Sequence, residues 1–358
     1  MRIVIATGGT GGHIYPALSL ADTLLEDKEN EVLFIGSSSR MEAKEIPEKG
    51  YEFKGINVLS ASGGLANKVK SSFSLVKSTN ECIKILKEYK PDIVIGFGNY
   101  ISVPVVLAAK KLKIKTLIHE QNSVAGKANI LLSKFVDGII GSYNENLEQF
   151  NNSKTRILGN PRASEAYKTV KDYKVFEELG LDKNKKLVLI VMGSLGSHSV
   201  NQVLEEYCDL VKNINYQVLI VTGKKQFEDF KFKGNDYIKV VSYIDGLKVM
   251  VLADLVVMRS GATTCAEVSA LGKASITIPS PYVPNNHQYI NAKTLEKLNS
   301  TIVIEESNLT SQLLNETIEK LMNDDKLREE MSNNALRAGK VNASEDIVKW
   351  IKDLVKWV

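Results

Sequence analysis

Short β-branched runs alternate with amphipathic stretches from one end of the chain to the other. That alternation predicts strand–helix–strand units and parallel sheets. In the first half the strand runs are 2–8, 31–36, 92–97, 115–120 and 138–142. A second set comprises 187–192, 217–222, 238–242, 254–258 and 274–279. Most are continuously apolar, as expected of strands covered on both faces. Between the sets lies 160–186, with Pro161 and the charged stretch 168–174, and this is the expected domain boundary. At the end of the chain Ile347, Ile351, Leu354 and Val358 recur at helical spacing. Ser344 stands as an N-cap before the acidic Glu345 and Asp346.

Composition narrows this picture. A length of 358 residues suits two domains of common size. Hydrophobic residues at 44% and charged residues at 25% give the balance of a globular protein. No apolar run reaches the roughly 18 residues that a membrane span needs. Met1 to Thr7 run straight into a strand pattern, without the layout of a signal peptide. Cys82, Cys208 and Cys265 lie far apart without metal spacing and read as thiols of a reducing compartment. The expected location is the cytoplasm. A net charge of +4 is compatible with anionic substrates or a lipid surface and is also ordinary for an enzyme.

Three turns carry candidate chemistry. The first strand ends in Thr7-Gly8-Gly9-Thr10-Gly11-Gly12-His13, ahead of a helical pattern. Glycines at a strand-to-helix junction let backbone approach a ligand, and N–H groups at a helix start favour an anion. The alternative is a tight turn without ligand. A dinucleotide cofactor does not fit: counting from Gly9, the third glycine position falls on Ile14, and the next strand ends Ile35-Gly36-Ser37 with no acidic residue. The eight-residue phosphate loop ending in Gly-Lys-Ser/Thr is also missing from the sequence. A second turn, Gly193-Ser194-Leu195-Gly196-Ser197, repeats the logic and reads equally as a plain turn. In the third, Arg259-Ser260-Gly261-Ala262-Thr263-Thr264-Cys265-Ala266-Glu267, backbone N–H groups suit a diphosphate and the carboxylate suits ribose hydroxyls. The alternative there is that Glu267 caps its own helix.

These residues, together with Ser39-Arg40-Met41-Glu42, His119-Glu120-Gln121-Asn122, Gly159-Asn160-Pro161, Gln288-Tyr289 and Asn291-Ala292, resemble the MurG family of N-acetylglucosaminyltransferases in peptidoglycan synthesis. The resemblance spans essentially the whole chain. It implies the α/β GT-B architecture: two Rossmann-like doubly wound domains with the active site in the cleft between them. The domains would be 1–161 plus 341–358, facing acceptor and membrane, and 162–340, holding the UDP-sugar. It implies inverting transfer from UDP-N-acetylglucosamine to lipid I, an undecaprenyl-diphospho-muramoyl-pentapeptide, giving lipid II, with no cofactor, metal or nucleic acid.

By matching position, the resemblance assigns Thr10, Gly11 and Gly12 to substrate phosphates, Asn122 to the sugar and Ser194 to phosphate. Ile244 would offer its backbone to uracil. Ala262, Thr263, Thr264, Cys265 and Ala266 would line the diphosphate pocket, Glu267 would hold the ribose, and Gln288 the sugar hydroxyls. The chain departs from the family pattern at five positions. Met192 precedes Gly193 where a glycine is usual, and Leu195 and Ser197 replace Gln and Ala. Arg162 comes one place early after Pro161 and is a candidate nucleotide contact. Asn99 stands where the last glycine of a further loop is usual.

Transfer to a hydroxyl needs a base, and His13, directly after the glycine turn, is the candidate, since imidazole as a group titrates near neutral pH. Its alternative role is packing at the helix start. Rival readings are a UDP-N-acetylglucosamine 2-epimerase, a diacylglycerol glycosyltransferase and a non-catalytic sugar-nucleotide binder. Leu65, Val69, Phe73 and Val76 fall at helical spacing among Lys68, Lys70 and Lys77. Periodicity alone reads that stripe as facing the core. The resemblance reads it as contacting anionic lipid, with the protein peripheral on the inner face of the membrane.

Overall fold

The structure, a computed structural model, describes residues 1–59, 65–193 and 197–356, the side chains of 65–69 excepted. The chain divides into unit 1, Met1–Ser164 with Asn342–Val358, and unit 2, Glu165–Val341.

Unit 1 carries seven strands: β1 (Arg2–Ala6), β2 (Glu31–Ser37), β3 (Glu52–Ile56), β4 (Ile93–Gly96), β5 (Lys115–Glu120), β6 (Gly138–Gly141) and β7 (Thr155–Ile157), in spatial order β3-β2-β1-β4-β5-β6-β7. Unit 2 carries six: β8 (Lys186–Val191), β9 (Tyr216–Val221), β10 (Ile238–Val241), β11 (Leu255–Met258), β12 (Ala274–Thr277) and β13 (Thr301–Val303), in order β10-β9-β8-β11-β12-β13. The recorded strand pairings are parallel, for example Ile3 opposite both Val32 and Ile93, and Leu255 opposite Val188. Alternation along each strand feeds two cores. Ile3 and Ile5 enter one and Val4 and Ala6 the other, and in unit 2 Val188 and Ile190 part from Leu187 and Leu189 in the same way. Burial on both faces is why these strands are continuously apolar. Both sheets are doubly wound, as the sequence pattern and the resemblance imply.

Three strands were not legible in the sequence: β3, β7 and β13. Each is a sheet edge, and their residues are largely exposed or half-buried. An edge strand with one neighbour does not need a continuous apolar run.

The terminal helix, Ala343–Lys356, packs on unit 1, where Ile347, Trp350 and Ile351 join the core of Ile3 and Ile5. Gly138 makes room for the indole: a Cβ there would lie 2.6 Å from the ring. The Arg156 guanidinium covers that ring at 4.5 Å from its centroid. Ser344 is not the N-cap that the sequence predicts. The helix opens one residue earlier, and the buried Ser344 hydroxyl donates to the Pro161 carbonyl (3.3 Å) while its N–H donates to Ser164 Oγ (3.0 Å). Those bonds anchor the helix to the segment it returns to.

Candidate functional site

In a doubly wound sheet, ligands bind beyond the carboxyl ends of the strands where the winding reverses. In unit 1 that point lies between β1 and β4, and in unit 2 between β8 and β11. The described parts of the glycine turns occupy these places: residues 7–12 follow β1, residues 97–99 follow β4, Met192 and Gly193 follow β8 and residues 259–261 follow β11.

In unit 1 the turn after β1 opens helix α1 (Gly11–Leu24), with Thr10 as N-cap. Thr10 Oγ1 lies 3.1 Å from His13 Nδ1, and the Thr7 hydroxyl donates to the His13 carbonyl (2.9 Å). His13 is half-buried and lies in ordinary van der Waals range of Gly98, 3.6 Å from its Nε2 to where a Cβ would stand, and it is the φ of +79° that favours glycine there. Tyr15 borders Gly11, and the Arg162 guanidinium stands over its ring at 5.7 Å. Arg162 is thus placed beside the first glycine turn.

The strand β5 ends in His119 and Glu120, both buried. His119 Nε2 donates to the Gly159 carbonyl (3.0 Å), and the ring stacks on Phe97 with centroids 5.0 Å apart. Burial, assisted by the nearby His13, lowers the His119 pKa to about 4 against the partial support of the Gly159 bond. The imidazole is therefore neutral and structural at pH 7. Glu120 is pushed above the usual carboxylate range by burial, opposed by the N–H bonds it accepts. These come from Gly126 (2.9 Å), Asn122 (3.1 Å) and Asn129 Nδ2 (2.8 Å). One carboxylate so fixes the loop that carries Asn122, and Asn146 Nδ2 adds a bond to the Asn122 carbonyl (3.0 Å).

In unit 2, the turn after β11 opens the helix Ala262–Ala270 with Gly261 as N-cap in extended conformation. Its first-turn N–H groups point out of the helix end, as an anion site requires. Thr263, Thr264 and Ala266 are half-buried, whereas Cys265 packs in the core and contributes backbone alone to that end. Glu267 lies beyond the first turn and is buried, so the capping alternative fails on position. Ile244 is buried in the core beside exposed Tyr243, whose ring carries Lys224 Nζ at 4.5 Å.

A cavity of about 540 Å³ is lined by Ser197, His198, Arg259, Ser280, Tyr282 and Gln288, among others. Gln288 is held there by its Oε1, which accepts the Ser280 N–H (2.9 Å). Arg259 donates to the Ile278 carbonyl (2.9 Å) and the Ser197 hydroxyl (2.7 Å) and pairs with Glu306 at 2.6 Å. Both members of the pair are 10% exposed. The contact is an ion pair rather than an aligned hydrogen bond, because that Glu306 oxygen accepts none. Glu306 was missed in the sequence, where nothing local marks it as the partner of Arg259.

Helix α3 (Leu65–Tyr89) carries the lysine-flanked stripe. Phe73 is 75% and Val76 62% exposed, while Ser71, Ser78, Cys82 and Leu86 are buried. At these positions the stripe does not face the core, and the reading from periodicity alone is corrected. The sequence also gave no sign of Ile130, Leu131 and Phe135, which are exposed in and after the helix Lys127–Leu132, beside Lys127 and Lys134. Their signal, apolar residues between two lysines, is too short for a periodicity test. Ser194 and the side chains of Leu65, Lys68 and Val69 lie outside the described residues. No helix among the described residues is long and apolar enough to cross a membrane.

Residues 3–140 match the glycosyltransferase family 28 N-terminal domain and residues 187–350 its C-terminal domain. The chain is 38% identical over 365 residues to a Thermoanaerobacter sp. protein, across 99% of this chain and 100% of that one. That relative is named UDP-N-acetylglucosamine–N-acetylmuramyl-(pentapeptide) pyrophosphoryl-undecaprenol N-acetylglucosamine transferase. The crystal structure of Acinetobacter baumannii MurG superposes with a TM-score of 0.79 at 27% identity, over 98% of this chain and 99% of that one. A Neisseria meningitidis UDP-GlcNAc 2-epimerase bound to UDP-GlcNAc reaches a TM-score of 0.66 at 16% identity, over 99% and 100% of the two chains. That second likeness is one of fold alone. Matched by both halves of the family and along its full length by a named transferase, the chain belongs to glycosyltransferase family 28 and, within it, to the MurG family.

Proposed function

We propose that the chain transfers N-acetylglucosamine from UDP-N-acetylglucosamine to lipid I with inversion at the anomeric carbon, releasing UDP and lipid II. The observation that carries this reading is the full-length identity with a transferase of that name. The two glycine-turn sites at the sheets' switch points support it.

Unit 2 takes the donor. The helix end at Ala262–Ala266 faces the diphosphate, with Ser194 assigned to phosphate by the family resemblance alone, Glu267 the ribose, Ile244 the uracil through its backbone, and Gln288 the sugar. N–H groups at a helix start stabilise the departing diphosphate as charge develops on it. Unit 1 takes the acceptor. Thr10, Gly11 and Gly12 approach substrate phosphate, Asn122 positions the sugar, and His13 removes the proton from the acceptor hydroxyl. The hydroxyl oxygen then attacks the anomeric carbon as the bond to UDP breaks. His119 does not compete for the base role: it is fully buried, its Nε2 is taken up by the Gly159 carbonyl, and a pKa lowered to about 4 makes it a weak proton acceptor.

The acceptor's lipid tail brings the protein to the cytoplasmic leaflet as a peripheral protein. Exposed Phe73 and Val76 with Lys70 and Lys77, and Ile130, Leu131 and Phe135 with Lys127 and Lys134, suit an anionic surface. Incubation with UDP-N-acetylglucosamine and lipid I tests the transfer: lipid II is expected. Release of UDP with conversion to the 2-epimer from donor alone, without lipid II, overturns it in favour of an epimerase. Flotation with phosphatidylglycerol vesicles tests the surface. Phe73→Ser with Lys70→Glu should lower recovery severalfold at low salt, and equal recovery of the folded variant would remove the helix from the contact.

A further inference from the structure

The turn after β1 is built from Gly8, Gly9, Gly11 and Gly12 around Thr10, and glycine backbone has the most freedom to lose. Two side chains from elsewhere hold it. On one side stands Glu42, fully buried at the start of the helix Glu42–Glu48. Its Oε2 accepts the Gly9 N–H (3.0 Å) and its Oε1 the Ser37 N–H (2.9 Å). A Cβ on Gly8 would fall 2.1 Å from Oε1. On the other side stands Asn99, which opens the helix Asn99–Lys111 with φ +64°. Its Nδ2 donates to the Gly8 carbonyl (3.1 Å), and its Oδ1 accepts the Tyr100 N–H (2.6 Å). A Cβ on Gly9, itself at φ +91°, would fall 2.1 Å from Nδ2.

We propose that Glu42 and Asn99 are positioning residues that pre-form this turn for a substrate diphosphate, a role that rests on the transfer reading above. Glu42 occupies the Gly9 N–H, so the anion is left to the N–H groups that open helix α1. Its charge is answered by two backbone donors and by the start of its own helix. Asn99 tolerates the left-handed conformation better than most residues and adds an amide that glycine, usual there in the family, does not have. Gly8 is thereby held by its carbonyl and Gly9 by its N–H, on opposite faces. A turn ordered in advance spares the substrate the cost of ordering it. Both substrates carry a diphosphate, so the chemistry is shared and the assay separates the sources.

The test is steady-state kinetics of the full chain, with UDP-N-acetylglucosamine and lipid I varied in turn, for Asn99→Gly and Glu42→Gln. Glycine accepts the backbone angle at 99 and deletes the amide alone; glutamine keeps the shape at 42 and turns one acceptor into a donor. The KM of one substrate should rise roughly three- to tenfold in both variants. The other KM, kcat and the melting temperature of Asn99→Gly should stay near the parent values. A shift in the lipid I KM assigns the turn to the acceptor diphosphate, and a shift in the donor KM assigns it to the donor. Unchanged KM values, or equal shifts in both with a lowered melting temperature, overturn the proposal and leave a purely structural tie. If Glu42→Gln does not fold, Asn99→Gly decides. If the parent makes no lipid II, the transfer reading fails separately. Calorimetric binding of inorganic diphosphate then decides the clamp, with weaker binding by Asn99→Gly keeping it and equal binding rejecting it.

Discussion

Unit 1 fixes the loops at the carboxyl ends of β1, β4 and β5 with buried or half-buried side chains that bond to backbone: Glu42 to Gly9, Asn99 to Gly8, Glu120 to Gly126 and Asn122, and His119 to Gly159. Unit 2 uses such a bond too, Asn291 Nδ2 donating to the Ser260 carbonyl (3.1 Å), and adds a buried ion pair, Arg259 to Glu306, whose arginine also reaches Ser197 and the Ile278 carbonyl. The same topological place is thus held in two ways. Bonds from side chain to backbone hold a loop without placing a free cation in it, which suits a loop that must shape itself around glycines. An ion pair instead leaves a guanidinium edge on a cavity, which suits a site for a charged nucleotide. The difference makes unit 1 sensitive to protonation of its interior and unit 2 sensitive to loss of a counter-ion.

The largest effect is expected where unit 1 meets chemistry. His13→Ala should lower kcat by about a hundredfold or more, the ordinary worth of a general base. Affinity for UDP should stay within about twofold if the nucleotide binds in unit 2, as proposed. Single-turnover kinetics with titration calorimetry of UDP checks both. A folded variant with near-parent kcat would remove His13 as the base, and one that loses UDP binding would erase the division of labour between the units.

Next comes the ion pair. Glu306→Gln leaves the Arg259 guanidinium buried without its counter-ion, which costs about 3 kcal/mol in comparable cases. Hydrogen exchange should show faster opening of unit 2 peptides around Ile278 and Ser199 while unit 1 peptides keep their protection. Equal protection throughout would mean that the Ile278 carbonyl and Ser197 suffice for Arg259.

Unit 1 has the opposite liability. His119 has a pKa of about 4 folded against 6.5 as the ordinary value, so between those limits the unfolded chain binds the extra proton. The stability that neutral His119 supports is present above about pH 6.5 and is lost as pH falls toward 4. The shift corresponds to at most roughly 3–4 kcal/mol across that window. Trp350 packs in the core of unit 1, so its fluorescence in urea, read in a Trp357→Phe background, reports this unit. His119→Gln keeps a donor for Gly159 and does not titrate. Its urea midpoint should fall less than the parent's between pH 7 and pH 4.5. Parallel decline would place the acid sensitivity elsewhere.

How much of this was legible follows from distance along the chain. Central strands are buried on both faces, and Arg2–Ala6 or Lys186–Val191 announce themselves in a few consecutive residues. Edge strands such as Glu52–Ile56 do not, because half of their surface meets water. The glycine turns are equally local and were read from sequence. Their supports were not: Glu42 lies 33 residues from Gly9, and Asn99 lies 91 from Gly8. Asn99 reads in sequence as a lost glycine, and its left-handed backbone and its bond to Gly8 emerge from the fold. Local reasoning also misread Ser344, whose hydroxyl serves Pro161 rather than its own helix. The exposure of Phe73 likewise depends on which face α3 turns to its neighbours, and periodicity alone does not fix that.

The smallest effect concerns Glu267, the carboxylate of unit 2 that stands apart from the ion pair. It is buried, lies past the first turn of Ala262–Ala270, and shares that short helix with the N–H groups proposed for the donor diphosphate. A ribose held by it would contribute one charged hydrogen bond or two, or about 1.5–3 kcal/mol. Glu267→Ala should therefore lower kcat/KM for UDP-N-acetylglucosamine by about tenfold or more. Glu267→Gln, which still accepts one hydrogen bond, should fall in between. If the carboxylate serves only to support the helix, both variants should lose melting temperature while kcat/KM for the donor stays at the parent value. A deoxyribose analogue of the donor separates the two further. It should be a poor substrate for the parent, and Glu267→Ala should discriminate against it far less, because the partner of the missing hydroxyl is already gone.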